Sequence, residues 1–432
     1  MATPKIAVLT FPGNNCETET VRALKTAGFI AEVFLWNREP SELQTFNGVV
    51  IPGGFSFEDR GRSGIVSSQE PIFQELQKMA NAGTPILGIC NGAQMLVESG
   101  LILSDSNNIP TIALLHNKRT NQKGEILGTG FYHSYRTLKP VNTKTPFSNF
   151  SENIHIPIAH GEGRFTLTAE MEQEVINKNL IVFTYVNEKG EIDNHYPTNP
   201  NGSFQNAAAI CNPKGNVLAL MPHPERNKNG NPVFNSLWKY FENTEAFELN
   251  NKEITVTDFT NTTPEKMDAN EATVFVKLKI SDKTEKTFKN VLGENAKNSL
   301  TRMEKWGFTF NTTLPTAEKI TDISKVIASG ELVNLNKQGV IAKIDGEWYK
   351  WTDNNEFTKA PTSLIEKNCF IVEAKEDFKG QEKQEHLTHV LPEINFQNIK
   401  YGVCWEVPEN KKDEYISHSL FSTRVGDVIK TF

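Results

Sequence analysis

Several features that would narrow the function of this 432-residue chain at once are missing from it. No apolar run reaches the ~18–20 residues that span a bilayer, which excludes a helical membrane protein. There is no basic excess: 45 Lys and Arg against 52 Asp and Glu leave a net charge of −7. A dedicated nucleic-acid binder is therefore not expected. Cysteine is scarce, with Cys16, Cys90, Cys211, Cys369 and Cys404 scattered and no C-x-x-C pair. That excludes a disulfide framework and a zinc site of ordinary spacing, so no metal is expected on the chain. Met1-Ala2-Thr3-Pro4-Lys5 leads directly into a strand-like run with no signal-peptide pattern. A cytoplasmic protein with reduced thiols is the expectation. No clear internal repeat and no low-complexity tract is visible. What remains is an ordinary folded composition, 38% hydrophobic and 22% charged. At ~100–200 residues per domain the length suits two or three domains.

The first half alternates strand and helix signals. Ile6 to Phe11 is a short apolar run ending at Pro12-Gly13-Asn14-Asn15, and Thr18 to Ala27 reads as a helix stopped by Gly28. Ala31 to Trp36 and Gly48 to Ile51 read as strands, and Ser67 to Ala82 as a helix. Pro85 to Ile89 is a buried-strand pattern that runs into Cys90 and a helix ending near Gly100. Such alternation predicts an α/β unit with a mostly parallel central sheet. The pattern between Leu101 and Phe165 is irregular. Leu180 to Val186, Ala207 to Cys211 and Val217 to Met221 look like strands, and Pro232 to Asn243 like a closing helix.

The predicted organisation is thus a first domain over 1–245, a polar linker over 246–270 and a smaller α+β domain over 271–432. In that second domain Ala272 to Ile280 alternates as a half-buried strand should. Phe288 to Trp306 reads as a helix. Thr309 to Leu314, Gly339 to Ile344, Trp348 to Trp351, Cys369 to Ala374 and Tyr401 to Val407 read as strands.

Chemistry concentrates in the first domain. Gly88-Ile89-Cys90-Asn91-Gly92-Ala93-Gln94 places a cysteine where a buried strand meets a helix, with glycines two residues away on each side. This is a nucleophile elbow with sulfur in place of a hydroxyl. It exposes the sulfur at the sheet edge and at a helix N-terminus, where free N–H groups favour negative charge. A core cysteine would not need those glycines. The base candidate is His223, in Met221-Pro222-His223-Pro224-Glu225, with Glu225 able to turn back and hold the imidazole. Cys90, His223 and Glu225 then form nucleophile, base and orienter. Pro52-Gly53-Gly54 follows a strand, so the Gly54 N–H can pair with the Asn91 N–H as an oxyanion hole. Cys16, in its Pro-Gly turn without a base motif, reads as structural.

G-x-C-x-G-x-Q with a downstream H-P-E resembles the class I (triad) glutamine amidotransferases. The finer resemblance is to the glutaminase (PurQ-type) subunit of phosphoribosylformylglycinamidine synthase. It is carried by Phe11 to Glu17 (F-P-G-N-N-C-E), by Pro52 to Asp59 with Arg62 and Gly64, by Pro157 to Phe165 (P-I-A-H-G-E-G-R-F), and by Asn199 to Ser203 with Met221 to Arg226. Two departures stand out. Ala93 replaces a common aromatic residue, and Glu58-Asp59-Arg60-Gly61-Arg62 stands where that family usually has Gly-Asp-Tyr-Leu-Arg.

The resemblance implies the class I glutamine amidotransferase fold and hydrolysis of glutamine through a cysteine thioester. Ammonia would pass to an ATP-dependent formylglycinamide ribonucleotide synthetase of purine biosynthesis, which would hold the ATP and magnesium. Gly53, Gln94, His160 and Gly161 are the expected glutamine-binding positions, with no chemical step assigned to His160. The second domain, with Val274 to Lys279 and Met303 to Phe308, faintly resembles the small bridging (PurS-type) subunit, a β-α-β-β-α-β unit. A separate bridging subunit is expected unless it is fused here; otherwise the domain serves oligomerisation. Alternatives are a glutaminase for another synthetase, a non-catalytic scaffold, or a cysteine peptidase or chaperone of related fold. The intact triad argues against the scaffold, and the late H-P-E against the last.

Overall fold

A computed structural model describes residues 2–243, 247, 264–268, 271–293, 296, 299–311, 313–360, 365, 368–408 and 411–432. The chain divides into two compact units, 1–259 and 260–432. The expected linker lies largely outside the described residues. No helix among the described residues is long and apolar enough to cross a membrane.

The first unit is built in chain order from β1 (Lys5–Thr10), α1 (Glu17–Thr26), β2 (Ile30–Leu35), β3 (Gly48–Ile51), α2 (Ile65–Ser68), α3 (Ile72–Ala82), β4 (Ile86–Ile89) and α4 (Asn91–Glu98). The stretch that looked irregular holds β5 (Ile112–His116), β6 (Lys118–Thr120), β7 (Ile126–Thr129), β8 (Tyr132–Pro140), β9 (Ile154–His160) and β10 (Glu162–Leu167). Then come α5 (Ala169–Asn177), β11 (Ile181–Val186), β12 (Ala207–Cys211), β13 (Val217–Leu220) and α6 (Asn231–Glu242). The helix read over Ser67 to Ala82 is two helices, because Pro71 stands at the N-cap of α3.

Nine strands form one sheet in the order β2-β1-β3-β4-β13-β12-β11-β8-β9. The five from β2 to β13 are mutually parallel, and the pairs from β13 to β9 are antiparallel. Alternation returns β11 and β9 to the common direction, so only β12 and β8 run against it. β1, β3, β4 and β13 are buried almost throughout, the run of apolar residues that a sheet covered on both faces requires.

The second unit contains β14 (Glu265–Lys266), β15 (Ala272–Leu278), α7 (Lys283–Leu292), β16 (Thr301–Phe310), α8 (Thr316–Ala328), β17 (Gln338–Ile344), β18 (Glu347–Trp351) and β19 (Phe357–Lys359). It continues with β20 (Cys369–Ala374), α9 (Phe378–Val390), β21 (Phe396–Glu406), α10 (Lys412–Ser417) and β22 (Asp427–Thr431). Glu265–Lys266, read as linker, is therefore part of this sheet. The helix read over Phe288 to Trp306 ends at Leu292, and Thr301 onwards is strand. Buried Lys305 hid the alternation of β16: Met303 and Lys305 face one side, Trp306, Phe308 and Phe310 matter to the other.

No repeat was visible in the sequence, yet this unit contains one. The sheet order is β14-β22-β20-β21-β16-β15-β17-β18-β19. Its centre, β22-β20-β21 against β16-β15-β17, is two copies of β-α-β-α-β meeting at the β16–β21 pair. Trp306 faces Tyr401 at that pair, with Lys305 opposite Gly402 and Gly307 opposite Lys400. Lys305-Trp306-Gly307 and Lys400-Tyr401-Gly402 thus exchange places across a two-fold relation. Asp377 follows Asp282 at the same interval as Lys400 follows Lys305, and each caps its helix, accepting from Gly380 N–H and Glu285 N–H.

Candidate active site

The segments after the carboxyl ends of β1, β3, β4, β13 and β9 gather at one edge of the first sheet. These carry Cys16, Gly53-Gly54, Cys90, His223 and His160. A parallel sheet delivers its ligand-facing loops to that edge. Cys90 sits between β4 and α4 at φ +50° and ψ −106°, a sparsely populated conformation that costs a non-glycine residue about 1–3 kcal/mol. The flanking glycines make this turn possible. A methyl on Gly88 would strike the Gly92 carbonyl, and one on Gly92 the Ile51 carbonyl. Cys90 is buried, with Sγ 3.6 Å from the Ala159 carbonyl oxygen.

His223 is buried and anchored through its own N–H to Pro157 O at 2.9 Å. Its Nδ1 lies 2.6 Å from Glu225 Oε1, and among the described residues its Nε2 has no partner. Burial works against a proton on this ring, but Glu225, Cys90 and Cys16 outweigh it and hold its proton affinity well above the ordinary imidazole value. Gly53 joins the pieces: a Cβ there would lie 2.8 Å from His223 Cε1 and 3.4 Å from both Cys90 Cβ and Cys16 Sγ. Cys90, His223 and Glu225, separated by most of the domain in sequence, are thus together.

The oxyanion candidates are at the same place. The first bond inside α4 runs from Gln94 N–H to Cys90 O, which leaves Asn91 N–H among the helix's orphan donors. Gly54, at φ +148°, forms a bridge with Asn14 whose bonds use Gly53 O and Phe55 N, leaving the Gly54 N–H out of it. The Asn91 side chain braces the loop, accepting from Ser56 N–H at 3.0 Å. Gln94 is committed within the protein: its Nε2 donates to Glu162 O at 2.6 Å and its Oε1 accepts from Asn91 Nδ2 at 2.9 Å. It ties α4 to the 161–163 loop instead of presenting a free amide.

His160 is buried, and its tautomer follows from Asn117. Asn117 Nδ2 donates to Gly130 O and His160 O, so Asn117 Oδ1 is an acceptor, and His160 Nδ1 must donate to it at 3.1 Å. His160 Nε2 is then a bare, buried lone pair with no partner among the described residues. Burial, then the charge on His223, pushes its pKa down to about 3, so it stays neutral. Gly161 O accepts Asn117 N–H at 2.9 Å, holding the loop. Asp59, beside Asn91, is pushed up to about 6 by burial and by Glu162.

Two neighbours escaped the sequence reading. Arg226 Nη2 donates to Cys16 Sγ at 3.1 Å, and Cys16 Sγ to Asn15 Oδ1 at 3.3 Å. Ligand atoms of Cys16, His223 and Glu225 lie within 4.8 Å of one another. Only the coincidence of a cysteine in one block and Arg226 directly after H-P-E in another hinted at this.

Residues 3–254 match the family model described as the CobB/CobQ-like glutamine amidotransferase domain. The chain is 44% identical over 228 residues to phosphoribosylformylglycinamidine synthase subunit PurQ of Methanothrix thermoacetophila, covering 51% of this chain and 86% of that protein. It is 39% identical over 225 residues to the subunit of the same name from Methanocaldococcus jannaschii, covering 51% and 89%. Among solved structures, a chain of PurLQS from Thermotoga maritima is 33% identical, with a TM-score of 0.44, over 55% of this chain and 99% of that one.

Proposed function

Since the chain belongs to the CobB/CobQ-like glutamine amidotransferase domain family and to its PurQ type, we propose that Cys90, His223 and Glu225 hydrolyse glutamine. The protein is the glutamine-hydrolysing subunit of phosphoribosylformylglycinamidine synthase, in purine biosynthesis. Cys90 Sγ adds to the carboxamide carbon of glutamine. Gly54 and Asn91 N–H groups hold the developing oxyanion. His223 Nε2 passes its proton to the departing nitrogen, ammonia leaves, and a thioester remains. His223 then takes a proton from water, hydroxide adds to the thioester carbon, and the thiolate leaves glutamate. Glu225 fixes the imidazole through Nδ1. The ammonia passes to an ATP-dependent synthetase subunit that converts formylglycinamide ribonucleotide to formylglycinamidine ribonucleotide and holds the ATP and magnesium. The observation that carries the reading is the buried 2.6 Å His223–Glu225 pair packed through Gly53 against an elbow cysteine.

We read the second unit as the bridging module of the same assembly. The reading rests on the faint resemblance of this part of the sequence to the small bridging subunit, although each of the two β-α-β-α-β copies departs from the β-α-β-β-α-β order of that family.

The test is glutamate release from glutamine by the purified chain, alone and with the synthetase, ATP and formylglycinamide ribonucleotide. Release that rises with the synthetase and disappears in Cys90→Ala supports the assignment. Release indifferent to that synthetase points to another acceptor enzyme. Binding without release in any mixture makes the chain a scaffold. Product formation without a third polypeptide supports the bridging role, and a strict need for one refutes it.

A further inference from the structure

Thioester formation removes a partner from His223. Before attack the imidazole stands beside a thiol that can carry negative charge. Once Cys90 is acylated that attraction is gone, yet the ring must still aim Nε2 at a water beside the new carbonyl carbon. One hydrogen bond from Nδ1 to Glu225 fixes an edge of the ring and leaves rotation about it to be limited by packing. The side chain placed to limit that rotation is Cys16.

The Cys16 backbone is fixed before its side chain does anything. Cys16 opens α1, and its carbonyl accepts from both Thr20 N–H at 3.0 Å and Thr20 Oγ1 at 2.7 Å. The preceding turn is laced to the Gly53-Gly54 loop by Asn15 N–H to Gly53 O at 3.2 Å and by Asn14 Nδ2 to the Pro52 and Gly53 carbonyls. The thiol is fixed next, accepting from Arg226 Nη2 and donating to Asn15 Oδ1. It is 1% exposed and lies in the same small space beside Gly53 as the His223 ring edge. An ordinary core cysteine would be surrounded by apolar side chains; this one has an arginine, an asparagine and the His223–Glu225 pair around it.

We propose that Cys16 is a positioning residue for His223: clamped by Arg226 and Asn15, its thiol borders the imidazole and keeps Nε2 on line for the deacylating water after Cys90 has been acylated. The inference rests on the glutaminase reading above. The groups facing His223 are then Cys90 from the elbow, Cys16 from the β1–α1 turn, Glu225 and Arg226 from its own segment, and His160 from β9. Cys16 acts in the direction that keeps the imidazole proton, so its removal lets that proton go at lower pH.

The experiment is steady-state and rapid-quench kinetics of full-length Cys16→Ala and Cys16→Ser, with the synthetase present throughout. For Cys16→Ala, kcat is expected to fall ~10- to 100-fold, the scale of a misaimed catalytic group. KM for glutamine should fall with it and kcat/KM stay within about threefold, because slowing deacylation alone lets the thioester accumulate without slowing its formation. The thioester should accumulate in quenched samples by mass spectrometry, and the basic limb of the kcat/KM profile should move to lower pH. Cys16→Ser, whose hydroxyl can accept from Arg226 and donate to Asn15, should recover most of kcat. A merely structural Cys16 would give kcat within twofold of wild type, an unmoved limb and no accumulated thioester, and would overturn the proposal. If Cys16→Ala does not fold, Arg226→Gln carries the test, because Arg226 reaches the surface and its removal opens no core. Its kcat should fall several-fold with thioester accumulating, and an unchanged kcat overturns the proposal. A wild-type chain that releases no glutamate fails the glutaminase reading itself, and this inference falls with it; an active wild type beside an indifferent Cys16→Ala fails this inference alone.

Discussion

Both units are nine-stranded sheets, yet only one gathers chemistry at an edge. In the first, seven strands run one way, so the ends of five of them carry Cys16, Gly53, Cys90, His160 and His223 to the same rim. In the second, every neighbour but β14–β22 is antiparallel, and consecutive strand ends point to opposite rims. Its ionic groups lie within the sheet instead. Lys305, 1% exposed, has Glu271 Oε1 at 2.5 Å and Glu373 Oε1 at 2.7 Å, and Lys430 meets Glu373 Oε2 at 2.8 Å. Strand direction, more than size or charge content, decides which sheet holds a reactive site. In the second unit the charges balance one another.

That contrast can be broken most sharply at the two buried centres. Cys90→Ala should lower glutamine hydrolysis by at least ~10³-fold, the scale for loss of a triad nucleophile, while leaving thermal unfolding of the second unit unchanged by calorimetry. Lys305→Met should do the reverse. It leaves Glu271 buried without its cation and Glu373 with Lys430 alone, a change that costs about 3–5 kcal/mol. Denaturant unfolding of the full chain should show that loss in one transition, with glutamate release by the folded protein intact. Burial raises the Glu373 pKa, but Lys305 and Lys430 together hold it below the ordinary value. Its contribution is therefore present at neutral pH and lost as pH falls below about 4.5 in wild type. If Lys305→Met impairs glutamine hydrolysis as much as stability, the division of labour between the sheets is wrong.

The two sheets were not equally legible. β1, β3, β4 and β13 are short apolar runs punctuated by Pro and Gly, so strand, turn and site could be read together, and the glycines around Cys90 announced the elbow. β5 to β10 were lost because most of their residues are only partly buried or exposed, which blurs the alternation, and because β5 finds its partner only in β10. In the second unit a buried lysine in β16 broke the alternation, and α7 was drawn fourteen residues too far. The duplication stayed hidden because it survives in strand order and in Lys-Trp-Gly against Lys-Tyr-Gly, while the packing residues around those triplets have changed. The polar surroundings of Cys16 were hidden for a different reason. What marks it is Arg226, contributed from a distant segment, and no local pattern carries that.

A smaller effect tests how tightly the first unit's rim is held. The Asp59 carboxyl ionises near 3.8 when unfolded but is pushed up to about 6 in the folded protein, by burial first and by Glu162 second. A raised acid pKa makes the charged form a burden on the fold. The burden is absent below about pH 4, grows between pH 4 and 6, and is complete above. Asp59→Asn should accordingly raise the thermal midpoint at pH 8 and lose that advantage by pH 4, measured by a melting series. A constant offset at every pH would mean that Asp59 matters through its hydrogen bonds to Ser63 and Asn91 instead.

The smallest expected effect concerns backbone strain, which the two units place differently. In the second, the positive-φ residues other than glycine among the described residues are Asp345 and Asn355, in the β17–β18 and β18–β19 turns, where Asp and Asn are tolerated. In the first, Phe57, Glu58 and Asp59 are consecutive at φ +49°, +59° and +50° beside the Gly53-Gly54 loop. Phe57 N–H to Pro12 O at 2.8 Å and Glu58 N–H to Phe55 O at 2.9 Å help impose that path. Glu58→Gly relieves about 1–2 kcal/mol of left-handed strain. Against this, glycine costs about 1 kcal/mol of unfolded-state entropy, and the exposed Glu58–Arg60 pair, 2.9 Å apart, is worth at most about 0.5 kcal/mol. The balance lies within about 0.5 kcal/mol of zero, with glutamine hydrolysis unchanged. Asn355→Gly, with no strain to relieve, should destabilise by about 0.4–1 kcal/mol. If Glu58→Gly destabilises by more than about 0.5 kcal/mol, or lowers kcat while the fold holds, the glutamate side chain itself takes part in shaping the rim, and the strain there is more than a by-product of the turn.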